Sequence, residues 1–148
     1  MKTLILSFNT YDWIFYCVDI IKSVPKEYEV MIVCNDNDKP IKAFPELCKE
    51  ARYLQRKNDI EKVGRKIGLK KIHNLRMNDG CIDVEKLLIS IQLSVVIGGI
   101  KKIIYQNIEI LNQIVPKICK SLNIECNSFD EISYKRTIEG IEFDLIGV

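Results

Sequence analysis

Five short apolar runs, separated by stretches whose apolar residues recur at helical spacing, determine how this chain can fold. The runs cover residues 3–8, 28–35, 70–75, 100–107 and 124–129. A strand-helix-strand order of this kind favours a parallel sheet, because each crossover helix must pack back onto the sheet that it connects. We therefore predict an α/β fold of the Rossmann-like, three-layer class, with a mostly parallel sheet of about five strands and helices on both faces.

The intervening stretches predict four helices. Apolar spacing predicts them over residues 12–23, 45–67 and 83–97, and from about Asn112 to residue 122. Asp83 is a candidate N-cap and Gly68 a candidate helix stop. The last helix is expected to start near Asn112, because Pro116 is then in or near the first turn, where proline is tolerated. Leu54 is expected to face the core, and residues 132–148 to form a hairpin-like end.

Composition fits one soluble domain over residues 1–148. The chain is 47% hydrophobic and 28% charged, and no apolar run is long enough to cross a bilayer. The six cysteines form no Cys-x-x-Cys pair, and no secretory signal pattern begins the sequence, so we expect free thiols in the reducing cytoplasm. Abundant Ile, Lys and Asn are typical of AT-rich genomes, such as those of low-GC bacteria or viruses.

A basic segment lies between residues 49 and 76. It holds ten Lys or Arg and three Asp or Glu, although the net charge of the whole chain is only +2. Such a segment binds nucleic acid or phosphate in some proteins. More often it is the solvated face of a helix, which we favour here.

The stretch from Arg56 to Gly80, "RKNDIEKVGRKIGLKKIHNLRMNDG", resembles the PIG-L/LmbE-like N-deacetylase family, as do the first two strands and the strand at 100–107. The resemblance covers about residues 1–122 and implies a shortened, degenerate member. The positions that carry it in this stretch are Arg56, Asp59, Ile67, Gly68, Leu75, Asp79 and Gly80.

The turn after the first strand departs from that family. Its members carry a His-Pro-Asp-Asp-Glu-like motif in which the His and the second Asp bind zinc and the first Asp is the general base. The corresponding residues here are Asn9, Thr10, Tyr11, Asp12 and Trp13. Only Asp12 is retained, and the loop after the fourth strand lacks the further family histidine. Zinc-dependent hydrolysis needs three protein ligands for the metal and a general base. Tyrosine, with an ordinary pKa near 10, is a poor base at neutral pH.

The resemblance makes a small-ligand cleft the leading site. Its expected lining is Asn9, Tyr11, Asp12, Trp13, Arg56 and Asp79. Asp12 and Glu109 are weak metal-ligand candidates. Each residue also has a structural alternative: Asp12 as a first-turn acid, the aromatics as plugs of the cleft, Arg56 as an exposed helix arginine and Asp79 as part of a turn. His73, the single histidine, is expected to be packed or on the surface.

Three functions follow from these observations. The first is a non-catalytic domain (a pseudoenzyme) that binds a small ligand or a protein, or assembles as a homo-oligomer, without a cofactor. The second is a metal-dependent N-deacetylase, acting on an N-acetylglucosamine-type substrate with zinc or another divalent metal held by rearranged ligands. The third is nucleic-acid or phosphate binding through residues 49–76.

Overall fold

The computed structural model describes residues 1–41 and 44–130, which contain a five-stranded parallel sheet. The strands lie in the order β3-β2-β1-β4-β5, and every neighbouring pair is parallel. The bounds are β1 Thr3–Asn9, β2 Tyr28–Cys34, β3 Ile72–Asn74, β4 Lys102–Gln106 and β5 Glu125–Phe129. The predicted α/β class, the parallel sheet and its five strands are confirmed. The predicted hairpin-like end at residues 132–148 lies outside the described residues.

Within the described residues, four α-helices cover the two faces of the sheet. Their bounds are α1 Asp12–Ser23, α2 Lys49–Ile67, α3 Val84–Val96 and α4 Glu109–Leu122. Helices α1 and α2 share one core with one face of the sheet, and α3 and α4 share a second core with the other face. This arrangement gives the three layers predicted from the alternation of strand and helix patterns.

Strand β1 lies at the centre of the sheet and is buried on both faces. Leu4 and Leu6 pack towards α3 and α4, whereas Ile5 packs towards α1 and α2. All three side chains are fully buried, and burying a side chain of this size contributes about 1.5–3 kcal/mol. A strand covered on both faces has no polar side to present to water, which explains the continuous apolar run in the sequence.

The ends of the helices follow the predicted capping residues. The carboxylate of Asp83 accepts a hydrogen bond from the backbone N–H of Lys86 at 3.0 Å, which caps α3. Gly68 ends α2 in the left-handed conformation with φ of +80°, where a residue with a Cβ would be strained. Both predictions are confirmed.

Helix α4 begins at Glu109, so the predicted start near Asn112 was wrong. Pro116 lies inside the helix, where it lacks the N–H that would bond to the carbonyl of Asn112. The loss is tolerated because α4 buries Leu111 and Val115 against the sheet and because Asn112 is exposed. Packing of the apolar face, which continues through both sides of the proline, outweighs the local cost.

Helix α2 begins at Lys49 rather than at residue 45, and the predicted inward position of Leu54 was wrong. The segment before α2 is a turn, in which the N–H of Leu47 donates to the carbonyl of Phe44. Leu54 is 53% exposed, and the neighbouring Tyr53 occupies the buried side of the helix instead. In the described part of the chain, no helix is long and apolar enough to span a membrane.

Candidate functional site

Strand β1 has β2 on one side and β4 on the other. The chain first adds β2 and β3 on one side of β1 and later adds β4 and β5 on the other side, so the strand order reverses at β1. In open α/β sheets, ligands bind in the crevice outside the carboxyl ends of the strands at such a switch point. Here the crevice lies between Asn9, which ends β1, and Gln106, which ends β4.

The turn from Asn9 to Trp13 is held by its own side chains. The indole Nε1 of Trp13 donates to the carbonyl of Thr10 at 2.9 Å, and the Thr10 hydroxyl donates to the carbonyl of Cys34 at 3.4 Å. Trp13 is fully buried in the core under α1. Its indole holds the turn from the core side and has no face open to a ligand. This position is the one expected if the aromatic residues fill the cleft.

Gln106 closes the crevice at the switch point. Its side chain is fully buried, and its carbonyl oxygen accepts hydrogen bonds from the backbone N–H groups of Phe8 and Asn9 at 2.8 and 3.2 Å. Its amide Nε2 donates to the Asp12 carboxylate at 2.5 Å. One side chain from β4 thus ties the end of β1 to the first turn of α1. We call this arrangement the Gln106 clasp.

Asp12, the one retained position of the family motif, is engaged by amides. Its Oδ2 accepts from Gln106 and also from the side-chain amide of Asn9 at 3.0 Å. Asp12 is the first residue of α1, where an acid is also favoured by the helix dipole. The carboxylate therefore has two hydrogen-bond donors and a helix N-terminus as its partners.

These residues do not fit a zinc site. Asn9 and Gln106 direct amide N–H groups at Asp12, and amide nitrogens are not zinc ligands. Glu109, the other candidate, is exposed at the first turn of α4. Within residues 1–41 and 44–130, no three His, Cys, Asp or Glu side chains come together as a metal site would require.

Tyr11, at the family base position, donates its hydroxyl proton to Asp59. The Oδ2 of Asp59 accepts it at 3.2 Å, and Oδ1 accepts from the amide of Gln55 at 2.9 Å. Burial, and secondarily the charge of Asp59, raise the pKa of Tyr11 far above its ordinary value. Burial also raises the pKa of Asp59. A phenol whose proton is held this firmly is not a general base near neutral pH.

Arg56 is buried and supports the loop after β2. Its guanidinium donates to the backbone carbonyls of Asn37 at 3.2 Å and Lys39 at 2.5 Å. Burial is the largest cause of a lowered pKa for Arg56. The exposed-arginine alternative is therefore wrong, and the guanidinium is committed to the chain's own backbone, where it neighbours Tyr11.

Asp79 is exposed in the turn after β3. The N–H of Gly80 donates to the Asn78 side chain at 2.9 Å, and that of Cys81 to the Asn78 carbonyl at 3.0 Å. This is the turn that the sequence predicts. The structure thus brings Asn9 and Asp12 together and places Tyr11 beside Arg56, but it leaves Trp13 in the core and Asp79 at the surface. Ligand binding by these six residues stays a prediction.

The basic segment uses some of its charge within the chain. Arg76 pairs with Asp36 at 3.2 Å and with Glu50, and its guanidinium lies 3.8 Å from the centre of the Tyr53 ring. Arg52 donates to the carbonyl of Leu47 at 3.0 Å. These contacts order the start of α2, and the ion pairs of Arg76 offset part of the positive charge that the segment offers to a partner.

Sequence reasoning missed Gln106 and did not assign Asp59 or Gln55 to the site. Gln106 carried one signal: it is a polar residue that closes an otherwise apolar strand. A polar side chain at the carboxyl end of a strand beside β1 lies at the switch point, where it either binds a ligand or satisfies the neighbouring backbone. Here it does the second.

The fold is similar to those of two solved enzymes. One is an N,N'-diacetylchitobiose deacetylase from Pyrococcus horikoshii, with a TM-score of 0.56 and 19% identity over 70% of this chain and 39% of that chain. The other is GalB, the 4-carboxy-2-hydroxymuconate hydratase of Pseudomonas putida KT2440, with a TM-score of 0.55 and 14% identity over 70% of this chain and 46% of that chain.

No family model and no curated protein sequence matches the chain. The two structural likenesses extend over less than half of either enzyme, and identities this low establish the fold alone. The chain therefore shares its α/β fold with a deacetylase and a hydratase, two enzymes of different chemistry. Fold does not by itself assign a reaction.

Proposed function

We propose that this protein is a non-catalytic domain with a PIG-L/LmbE-like fold, which acts by binding a ligand or a protein partner. The observation that carries the proposal is the Asp12 carboxylate, which accepts from the amides of Asn9 and Gln106. Both bonds end on Oδ2, so a metal ion bound through that oxygen would have to displace one or both of these donors. It would then face amide groups where a zinc site needs imidazoles, thiolates or carboxylates.

The proton chemistry supports the same conclusion. Hydrolysis of an acetamide needs an activated water and a group that takes up its proton. Tyr11 holds its own proton in a hydrogen bond to Asp59, and the carboxylate of Asp59 is engaged by Tyr11 and Gln55. The groups around the switch point thus satisfy one another, as they do in a structural network rather than in a reaction centre.

The proposed ligand is a small molecule rich in hydroxyl and amide groups, of the amino-sugar type. Asn9, Tyr11 and Asp12 are half-buried, so they remain partly accessible at the carboxyl end of β1. An amide, a phenol and a carboxylate offer donors and acceptors together, which suits a ligand with both. Trp13 and Arg56 would support these residues from behind rather than touch the ligand.

Elemental analysis of the purified protein and an acetate-release assay test the proposal together. With N-acetylglucosamine derivatives and added zinc, we expect substoichiometric metal and no acetate above the protein-free control. Stoichiometric metal, with acetate release that is abolished by Asp12→Asn, would overturn the proposal. That result would establish instead the N-deacetylase alternative with Asp12 and Glu109 as rearranged ligands.

Binding of nucleic acid or phosphate through residues 49–76 remains the other candidate. It predicts affinity that falls steeply with salt, because each phosphate contact releases counterions. The ion pairs of Arg76 with Asp36 and Glu50, and the bond from Arg52 to the Leu47 carbonyl, engage two of the segment's arginines within the chain and make this candidate weaker than ligand binding at the switch point.

A further inference from the structure

A second cavity lies at the opposite end of the sheet from the Gln106 clasp. It has a volume of about 360 Å³ and lies between the starts of β2 and β3 and the end of α3. Small-molecule sites in proteins are about 300–1,000 Å³, so this cavity suits a small ligand. Its lining comprises Glu29, Met31, Lys71, His73, Leu75, Ser90, Leu93, Ser94, Ile97 and Gly98. We call it the Glu29 cavity.

Glu29 is the unusual member of this lining. Its side chain is 7% exposed, and Oε1 accepts a hydrogen bond from the Nε2 of His73 at 2.9 Å. The other oxygen, Oε2, is buried and has no hydrogen-bond donor among the described residues. The nearest cation, the ammonium of Lys2, is 3.8 Å away and donates instead to the carbonyl of Gly98. A buried carboxylate oxygen without a donor is costly, which makes it a natural point of ligand contact.

The two serine hydroxyls of the cavity also present acceptors. The hydroxyl of Ser90 donates to the carbonyl of Lys86 at 2.7 Å, and that of Ser94 donates to the carbonyl of Ser90 at 3.0 Å. Each hydroxyl uses its proton within α3, so its oxygen is left with lone pairs. A ligand that complements Glu29 and these two serines must therefore bring N–H or O–H groups.

The remaining wall is apolar and open to solvent at one side. Met31 and Leu75 form its buried floor, whereas Leu93 and Ile97 of α3 are 51% and 79% exposed at its rim. Exposed leucine and isoleucine beside a cavity give an apolar ligand a surface to cover. The ligand should thus combine an apolar body with a hydrogen-bond donor.

The charges around the cavity favour a neutral donor. Lys71 lines it and Lys2 lies near Glu29, so two ammonium groups accompany one carboxylate. A ligand ammonium would meet both of them, whereas an indole N–H or a phenol O–H would not. The exposed side chain of Lys2 can move aside as the ligand's donor approaches Oε2.

From this geometry we propose that the Glu29 cavity is a binding site for small, neutral, amphipathic molecules with an apolar ring and one N–H or O–H donor. Glu29 would accept the donor, and His73 would position the carboxylate by holding Oε1. The site is separate from the switch point, so it does not depend on the function proposed above.

Indole and benzofuran are the probes for this proposal, because they share size and shape but only indole has an N–H. We expect indole to bind the full chain with a dissociation constant of about 1 mM or below. Binding is measured by titration in ¹H–¹⁵N correlation spectra. The largest shifts should fall at Glu29, His73 and Ser94, and benzofuran should bind at least about tenfold more weakly. No indole binding, equal affinity for the two probes or shifts elsewhere would overturn the proposal.

Glu29→Gln tests the acceptor directly, because it replaces the carboxylate with a neutral amide of the same size. Glu27→Gln is the control, because it removes the same charge at an exposed position outside the cavity. We expect Glu29→Gln to weaken indole binding at least about tenfold and Glu27→Gln to leave it unchanged. Equal effects of the two variants would contradict the proposal. If Glu29→Gln fails to fold, the comparison of indole with benzofuran on the unaltered protein still decides it.

Discussion

Replacement of Gln106 by leucine removes the clasp while keeping a side chain of similar size. The change deletes two neutral hydrogen bonds, from the N–H groups of Phe8 and Asn9, and one bond to the Asp12 carboxylate. The two N–H groups and the carboxylate then depend on whatever water can reach them. Because Gln106 is fully buried, the vacated space is not open to bulk solvent.

The expected cost can be worked from these three bonds. A neutral hydrogen bond contributes about 1 kcal/mol and a charged one about 1.5–3 kcal/mol, so the loss is about 3.5–5 kcal/mol. The more apolar side chain of leucine returns about 1 kcal/mol through burial. We therefore expect Gln106→Leu to lower the free energy of unfolding by about 2.5–4 kcal/mol, a large part of the total of about 5–15 kcal/mol for a small domain.

Urea denaturation followed by tryptophan fluorescence measures this loss. Trp13 is the single tryptophan and is fully buried in the core, so its emission reports unfolding. Gln113→Leu makes the same substitution at an exposed position of α4, and it should change stability by less than about 0.5 kcal/mol. Equal denaturant slopes in the three proteins would show that the midpoints can be compared.

A loss below about 1 kcal/mol for Gln106→Leu would refute the clasp as a source of stability. Gln106→Glu adds a further check, because it places a second carboxylate against Asp12 in a buried setting. The like charges should make this variant less stable at pH 8 than at pH 4, relative to the unaltered protein. An absence of pH dependence would show that the two side chains do not meet.

Two further predictions concern the network beside the clasp. Burial raises the pKa of Asp59, so the folded state binds its proton more tightly than the unfolded state does; Asp59 should therefore cost stability as the pH rises above about 4. The free energy of unfolding of Asp59→Asn should consequently rise, relative to that of the unaltered protein, as the pH goes from 4 to 7. Parallel denaturation of the two proteins measures this difference, and a difference that does not change with pH would contradict the prediction. A lysine at position 56 cannot donate to the carbonyls of Asn37 and Lys39 with the fork geometry of a guanidinium. In the Arg56→Lys variant, limited proteolysis should therefore cut the loop between β2 and α2 at least several-fold faster. An unchanged rate would show that the loop does not depend on the guanidinium.

The sequence predicts the sheet because its central strands, β1 and β2, are buried on both faces. Leu4, Ile5 and Leu6 form an uninterrupted apolar run, and the turn and capping residues Gly68 and Asp83 mark helix ends by local chemistry. Pattern reasoning is reliable where burial and local backbone preference agree.

It fails where tertiary contacts override local preference. Pro116 looks like a helix start, yet α4 extends through it because its apolar face packs on the sheet. Arg56 looks like a solvated helix residue, yet it is 4% exposed, because a loop folds back onto it and supplies two carbonyls. Neither the packing of α4 nor the path of that loop is encoded in the residues next to these positions.

The central place of β1 has a consequence for how the molecule can be divided. β1, β2 and β3 come from the first 74 residues, and β4 and β5 from residues after 101, so one seam between β1 and β4 joins two continuous pieces of chain. Gln106 fastens that seam at one end, and the bond from the N–H of Lys101 to the carbonyl of Lys2, at 2.9 Å, fastens it at the other. A break between Gly98 and Gly99 leaves every strand intact, so the two fragments should complement each other when coexpressed, which makes this chain a candidate split reporter.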